Sequence, residues 1–361
     1  MLEQAKRRAD LGALIVEKGA LLINPPMLLA ANPFFDLAGE ELGRRLLLTT
    51  GNNDVEYCLR PEFTLPIAKE FLLAKEKNQH GAAFGYLGPI FRQRAEGPVE
   101  FTQLGLEILG KADADAALEK VFDFAIKAIE IYDFKPKIRL GSVAIFEALL
   151  ANVDIPDVWR PRIRHRFGQP EAMARLLERL ADPHGTKAGA IPWKKDELIL
   201  AISDQMLAAS LSLTGSRSPE EIANRYFEKQ ELAASNVPEK TLKTLKQYLA
   251  VKGDALAMLN LVEKSAFDYG LDISAPIKRL IAHVKMLQQK HNIKDIEFDA
   301  SFSPRLDYYT GIVFQMIIAG KVAASGGEYD RLLQRLGSDK PLNASGCSIW
   351  IDRLEEEKTN E

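Results

Sequence analysis

The chain has few of the residues that mark disulfide-rich, metal-binding or membrane proteins. Of its 361 residues, two are cysteine, Cys58 and Cys347, and five are histidine. Neither set has the close spacing of metal ligands, so two structural thiols in a reduced compartment are the simplest interpretation. No stretch approaches the ~20 apolar residues that span a bilayer. We therefore predict a cytoplasmic protein that has no metal site and no contact with a membrane.

The sequence also lacks the marks of a nucleotide-dependent or nucleic-acid-binding protein. With 47 basic and 50 acidic residues its net charge is −3, which is unlike the basic surface that extensive nucleic-acid contact requires. It contains neither a G-x-x-x-x-G-K-[ST] loop nor a G-x-G-x-x-G turn. We predict no cofactor. We interpret the one basic cluster, at residues 160–165, as a solvated helix face or a partner contact.

The residue pattern predicts strands in both terminal parts of the chain and helices between them. We expect helices over 3–20, 61–75 and 113–132, a strand–turn–strand over 45–60 with its turn at 51–54, and strands again from 296. Between 183 and 272, proline, glycine and serine interrupt short helical segments, and no convincing strand is present. The pattern predicts an α+β fold, namely an antiparallel sheet flanked by helices, divided into 1–154, an inserted helical region at 155–272, and 273–361.

The stretch from Phe91 to Glu107 gathers the most chemistry. It reads as a hairpin that carries two arginines on its first strand and an amide and a carboxylate on one face of its second strand, namely Arg92, Arg94, Gln103 and Glu107. Gly105, between the last two, leaves room for a ligand near the backbone. This set suits a zwitterionic small molecule, with or without a phosphate. The alternative is a solvated face of an antiparallel sheet.

Four regions of the sequence, the third of which holds two signatures, together resemble the class II aminoacyl-tRNA synthetases of the histidyl type. LRPEFT (Leu59 to Thr64) is similar to their amino-acid-binding turn, and FRQRAEGPVEFTQLGLE (Phe91 to Glu107) is similar to motif 2. PRLDYYTGIVF (Pro304 to Phe314) and SGGEYDRLLQRLG (Ser325 to Gly337) are similar to two histidine-specific signatures. GCSIWIDRL (Gly346 to Leu354) is similar to motif 3. The regions follow the family order across nearly the whole chain, so the resemblance implies the class II fold.

The same resemblance implies a pocket for histidine. The matching positions are Glu62, Thr64 and Gln103 for the amino-acid backbone, Glu107, Tyr309 and Tyr329 for the imidazole, and Arg92 and Arg353 for a nucleotide or phosphate. A carboxylate accepts an imidazole N–H, and a tyrosine hydroxyl either donates or accepts. The alternative for the two tyrosines is a core position with a wet hydroxyl.

The departures from the synthetase pattern concern catalysis. An arginine that contacts the activated carboxylate precedes the tyrosine pair of the family, but here Pro304 takes its place and Arg305 follows. Losing such a donor typically costs ~10²–10³ in rate. Glu328 stands where an arginine usually follows the glycines of the second signature. The sequence ends just after motif 3, where histidyl synthetases continue, so we predict no anticodon-binding domain, no catalytic residues and no binding of tRNA.

The same core without those parts resembles the regulatory subunits of short-form ATP phosphoribosyltransferases. These proteins also carry a segment like GSVAIFEALLANVDIPDVWRPRIRHRFG (Gly141 to Gly168). The resemblance implies a non-catalytic subunit that binds and activates a separate catalytic subunit. That complex performs the first step of histidine biosynthesis, and the subunit contributes to its feedback inhibition by histidine. The pocket is then either a relic or is reused to sense histidine, and both alternatives stay open.

Two rival functions remain at this point. The chain could be a minimal histidyl-tRNA synthetase or a ligase that forms an aminoacyl-adenylate, or else a dimeric scaffold that binds no ligand. In each case the resemblance implies a homodimer through the region around class II motif 1, roughly residues 20–60.

Overall fold

The structure, a computed structural model, describes residues 2–37, 40–51, 55–74, 80–94, 97–181, 194–209, 218–234, 236–304 and 308–360. The chain separates into two compact units. The first comprises Met1–Leu149 and Leu249–Glu361, and the second comprises Leu150–Tyr248. No helix in the described part is long and apolar enough to cross a membrane.

The strands of the described residues all belong to the first unit. They are β1 (Leu21–Leu22), β2 (Leu28–Ala30), β3 (Leu48–Thr50), β4 (Glu56–Leu59), β5 (Ala82–Phe91), β6 (Glu100–Leu109), β7 (Lys137–Ser142), β8 (Lys252–Asp254), β9 (Ile296–Asp299), β10 (Ile312–Ile318), β11 (Lys321–Glu328) and β12 (Ala344–Trp350). In the described residues, nine of them form a sheet in the order β1-β5-β6-β12-β11-β10-β7-β9-β8, and β2-β4-β3 form a small second sheet. The predicted antiparallel sheet is confirmed for its centre, but the whole is mixed because β1–β5 and β7–β9 pair in parallel.

The helices flank these sheets in the first unit and make up the second. They are α1 (Leu2–Glu17), α2 (Asn32–Leu37), α3 (Glu40–Gly43), α4 (Thr64–Leu73), α5 (Ala114–Glu130), α6 (Val143–Asn152), α7 (Arg160–His165), α8 (Pro170–Ala181), α9 (Lys195–Ala208), α10 (Pro219–Ala234), α11 (Glu239–Leu249), α12 (Ala255–Asp268), α13 (Ser274–His291), α14 (Arg331–Arg335) and α15 (Ile351–Asn360).

The core of the first unit is built where α5 covers one face of the large sheet. The predicted apolar stripe of α5, from Leu118 to Ile129, is buried. Phe122 packs on Phe314 of β10 with ring centroids 4.6 Å apart. Asp113 caps the helix, since its carboxylate accepts the N–H of Ala116 at 2.9 Å. Helix α5 therefore leaves the opposite face of the central strands uncovered.

Three predictions of local structure were wrong. Helix α4 starts at Thr64 and not at Pro61, because the side chain of Glu62 occupies the first N–H groups of the helix. Arg92 and Arg94 lie beyond the end of β5 at Phe91, so they are not strand residues. Finally, β8 is a strand within 183–272. The predicted turn at 51–54 lies mostly outside the described residues.

The second unit contains helices only, among its described residues. It ends at Tyr248, whereas the predicted insertion ran from 155 to 272, and residues 249–272 group with the sheet because β8 pairs with β9. Part of the basic cluster has a structural role here. Arg160 donates to the carbonyls of Leu150 and Val153 at the end of α6, and Arg162 pairs with Glu228 at 2.7 Å.

The two cysteines are free thiols, and each is buried in a different sheet. Cys58 lies in β4 of the small sheet and Cys347 in β12 of the large one. Burial raises the pKa of Cys58 to about 11 and holds the pKa of Cys347 higher still.

Candidate functional site

A cavity of about 310 Å³ lies on the face of the large sheet that α5 leaves free. Its volume is at the lower end of the range typical for small-molecule sites. All eight residues that match ligand-contacting positions of the family line it, namely Glu62, Thr64, Arg92, Gln103, Glu107, Tyr309, Tyr329 and Arg353. They come from α4, β6, α15, the segments that follow β4, β5 and β11, and the segment before β10, which the fold brings together over the sheet. Their roles toward a ligand stay predictions.

Glu107 is the buried carboxylate of this cavity, with 1% of its surface exposed. It accepts hydrogen bonds from the hydroxyl of Thr64 at 2.7 Å and from the hydroxyl of Tyr329. Burial raises the pKa of Glu107 to about 8, although both hydroxyl donors act in the opposite direction. Gly346 is its neighbour on β12, and a Cβ at that position would overlap the carboxylate. The site is thus shaped around a carboxyl group that is half or more protonated at neutral pH.

The side chain of Glu62 caps the start of α4. Its two carboxylate oxygens accept the N–H groups of Thr64 at 2.6 Å and Leu65 at 2.8 Å, which would otherwise lack partners at the start of the helix. Burial raises the pKa of Glu62, while those N–H groups and the nearby Arg92 guanidinium lower it. This arrangement fixes Thr64, whose hydroxyl reaches Glu107.

Three tyrosines form one wall of the cavity. The rings of Tyr308 and Tyr309 are 5.3 Å apart, and Tyr329 stands edge-on to both at 5.6 and 6.3 Å. Tyr329 keeps its proton because burial and the adjacent Glu107 raise its pKa well above the usual value. An aromatic wall with fixed hydroxyls can hold a flat polar ring by contact and by hydrogen bonds.

Gln103 presents the clearest unsatisfied group of the cavity. Its side chain is 1% exposed, and its carboxamide oxygen has no hydrogen-bond partner in the described structure. Leaving a buried acceptor without a donor costs about 1–3 kcal/mol. A ligand N–H placed in the cavity would remove this cost.

Three arginines also line the cavity, namely Arg45, Arg92 and Arg353. The Nε of Arg92 donates to the carbonyl of Pro61 at 2.5 Å, and Arg353 donates to the carbonyl of Val322 and lies 4.9 Å from the Trp350 ring centroid. Burial lowers the pKa of both Arg92 and Arg353, but a guanidinium stays charged near neutral pH. These guanidinium groups can bind an anionic group.

Arg94, singled out with Arg92, lies elsewhere. Its guanidinium packs 4.1 Å from the ring centroid of Phe101, and it is not among the residues that line the cavity. Pro304 does line the cavity, which agrees with its match to the missing arginine of the family, and Arg305 lies outside the described residues.

Sequence reasoning missed several lining residues, notably Arg45, Tyr308, Gln315, Ser325 and Trp350. Gln315 and Ser325 face each other across β10 and β11. Gln315 is the one polar residue of β10, and Ser325 lies between Ala324 and Gly326, a signal that could have indicated them. Arg45 has no such signal, because it follows the short helix α3 and lies outside the family motifs. No group of three or more His, Cys, Asp or Glu side chains in the described residues could hold a metal ion.

Comparisons with known proteins agree with this architecture. The family model described as histidyl-tRNA synthetase matches residues 2–212 and 221–354. The ATP phosphoribosyltransferase regulatory subunit of Brucella canis is 35% identical over 350 residues, which cover 93% of this chain and 93% of that protein.

Two solved structures share the fold. One is described as an ATP phosphoribosyltransferase regulatory subunit/histidyl-tRNA synthetase from Bacillus halodurans; it has a TM-score of 0.64 and 20% identity, and the match covers 98% of this chain and 79% of that one. The other is a histidyl-tRNA synthetase from Nostoc, with a TM-score of 0.63 and 13% identity over 99% and 72% of the two chains. The chain therefore belongs to the histidyl-tRNA synthetase-like family and, within it, to the ATP phosphoribosyltransferase regulatory subunits.

Proposed function

We propose that this chain is a non-catalytic regulatory subunit that binds free histidine in the cavity and thereby controls an ATP phosphoribosyltransferase catalytic subunit. The observation that carries the histidine part is the unpaired carboxamide oxygen of Gln103, which is buried in the cavity that Glu62 and Glu107 also line. The names of the curated relatives support the regulatory part.

The cavity offers complementary groups to each part of the histidine molecule. The α-ammonium group needs acceptors, and we assign it to the free oxygen of Gln103 and to Glu62. The imidazole carries one N–H and one lone pair in its neutral form. We assign it to Glu107 and to the hydroxyls of Tyr309 and Tyr329, which line the same cavity.

Regulation fits the cavity better than amino-acid activation does. Activation develops negative charge between the amino acid and ATP, and enzymes place fixed cations there. Pro304 offers neither charge nor a side-chain donor at the position that the family fills with arginine. Arg92 and Arg353 already donate to main-chain carbonyls. In the proposal these two arginines bind the histidine carboxylate or a phosphate, and no reaction takes place there. Transfer RNA has no role.

We further propose a homodimer through the region of β1–β4. Large apolar side chains are exposed there, namely Leu21, Leu22, Met27, Leu28, Leu48 and Val55, with between 41% and 65% of each accessible. A cluster of this kind on the surface of one chain marks an interaction site. The surface that meets the catalytic subunit is left unassigned, and the cytoplasmic location stays a prediction.

Histidine titration by calorimetry tests the site, using the purified chain and Gln103→Leu. The variant loses the acceptor, and no donor of the protein loses a partner because the oxygen has none there. We therefore expect affinity to fall at least tenfold, from a hydrogen bond to a charged group of about 1.5–3 kcal/mol. Gln334→Leu, the same change at an exposed position on α14, is the matched control. Wild-type affinity in Gln103→Leu would contradict the assignment.

A second experiment tests the regulatory role. The catalytic subunit is assayed with and without this chain, at increasing histidine concentrations. We expect the chain to raise activity, and Gln103→Leu to shift inhibition by histidine to higher concentration. Robust histidine-dependent pyrophosphate exchange by the chain alone would instead establish the rival, an enzyme that forms an aminoacyl-adenylate.

A further inference from the structure

The segments that carry Tyr309 and Tyr329 are joined by one carboxylate outside the cavity. Glu328, the last residue of β11, accepts the N–H of Ile312 at 2.7 Å through its side chain. Its own carbonyl accepts the N–H of Thr310 at 2.8 Å. Tyr309 precedes these two donors in sequence and Tyr329 directly follows Glu328. A single residue thus ties together the backbone on which both tyrosines stand.

Gly311 makes this close contact feasible. A Cβ at position 311 would overlap the carboxylate of Glu328. Without a side chain there, the carboxylate lies over the backbone and reaches the N–H of Ile312. The Thr310–Gly311 pair of the tyrosine signature and Glu328 of the glycine signature therefore form one local unit.

Arg279, on α13, holds that carboxylate from the other side. Two nitrogens of its guanidinium donate to the two oxygens of Glu328 at 2.8 and 2.6 Å, and the side chain of Glu328 is 5% exposed. The third nitrogen donates to Asp115 of α5 at 2.6 Å, and His283 contacts the same carboxylate at 3.0 Å. The planar fork of an arginine suits such a two-point contact, which fixes direction as well as distance.

We propose that Arg279 and Glu328 are positioning residues of the histidine pocket, which act through Tyr309 and Tyr329 without touching the ligand. This inference rests on the proposed function. The departure of Glu328 from the family pattern is matched by a cation on α13, because Arg279 pairs with this carboxylate. A binding site needs its contacting groups held to within about 0.5 Å by such supporting contacts. Loosening Glu328 would move the Tyr329 hydroxyl away from Glu107.

The test compares histidine affinity, by calorimetry, with thermal stability, by scanning calorimetry, in three variants of the whole chain. Arg279→Lys keeps the charge but loses the two-point contact. The double variant Arg279→Met with Glu328→Gln removes both charges together, so that no buried carboxylate is left unpaired. Arg331→Met is the matched control, because Arg331 makes an equally short two-point contact with Glu147 at 2.8 and 2.6 Å, yet lies outside the cavity.

We expect both changes at Arg279 to weaken histidine binding by about tenfold or more, and Arg331→Met to leave it within about twofold. Arg279→Lys should bind more tightly than the double variant, since the lysine still pairs with Glu328. Wild-type affinity in Arg279→Lys and in the double variant would overturn the inference but leave the proposed function standing. A wild-type chain that binds no histidine would refute the proposed function, and the inference with it.

A double-mutant cycle separates positioning from a general loss of structure. Tyr329→Phe removes the hydroxyl through which Arg279 is inferred to act. In that background Arg279→Lys should weaken binding by less than about threefold, because the group that it positions is already absent. Full additivity of the two effects on affinity would show that Arg279 acts independently of the Tyr329 hydroxyl, and would overturn the inference.

Discussion

The protonation of Glu107 should make the stability of the protein depend on pH in a way that one substitution removes. Glu107 is enclosed by Thr64 and Tyr329, and burial raises its pKa from 4.5 to about 8. Replacing it with glutamine keeps the size and the acceptor oxygen of the side chain but takes away its titration.

The direction follows from proton binding. Between pH 4.5 and 8 the folded protein holds a proton on Glu107 that the unfolded chain has released, so the free energy of unfolding falls as pH rises. The contribution is fully present below the unfolded pKa and is lost once the pH passes the folded pKa. A shift of this size corresponds to at most about 5 kcal/mol, at 1.36 kcal/mol per pKa unit.

Urea denaturation at intervals between pH 5 and 9 measures this. As the pH rises, we expect the free energy of unfolding of the wild type to fall by several kcal/mol relative to that of Glu107→Gln. Most of this change should occur between pH 5 and 8. Glu100→Gln, at the exposed start of the same strand, should follow the wild type. A difference between wild type and Glu107→Gln that stays constant with pH would refute the reasoning.

Three further outcomes follow from other features. Gly346→Ala places a methyl group against the carboxylate of Glu107, so we expect calorimetry to detect no histidine binding and stability to fall by about 1–3 kcal/mol; unchanged affinity would show that the cavity can relax. Arg60→Met should cost roughly 2–4 kcal/mol in urea denaturation, because fully buried Arg60 donates to the carbonyls of Pro25 and Pro89 and stacks 4.0 Å from the Phe63 ring centroid; a loss under about 0.5 kcal/mol would mean that water replaces it. Leu22→Glu with Leu28→Glu should give a monomer in sedimentation, whereas Leu73→Glu, at an 88% exposed position, should not; a dimer in both variants would rule out the proposed surface.

The parts of the fold that were predictable are those with strong local patterns. Helix α5 could be predicted because its apolar stripe and its capping residue Asp113 can both be recognised in the sequence without knowledge of tertiary contacts. Strand β8, with the sequence Lys-Gly-Asp, has no apolar residue to indicate it, and its pairing with β9 exists only in the folded chain. The start of α4 was misplaced because the side chain of Glu62, not the ring of Pro61, determines where the helix begins.

The candidate site shows the same division. Eight of the residues that line the cavity could be indicated because they fall within motifs of a family that the sequence resembles. The contact of Arg279 with Glu328 joins residues 49 positions apart on different elements. The sequence shows only an unusual glutamate, and no neighbouring residue in the sequence indicates that Arg279 is its partner. Hydrogen-bond partners that depend on tertiary packing have no local signal to read.

The two buried thiols can be used to measure local opening of the folded chain. A thiol must be exposed and ionised to react with an alkylating reagent, and Cys58 and Cys347 are neither in the folded protein. Each labelling event therefore records a transient excursion of the strand that carries it. Since one thiol lies in each sheet, mass spectrometry of the two labelled peptides would measure separately how fast the small sheet and the large sheet open. No engineered probe is needed.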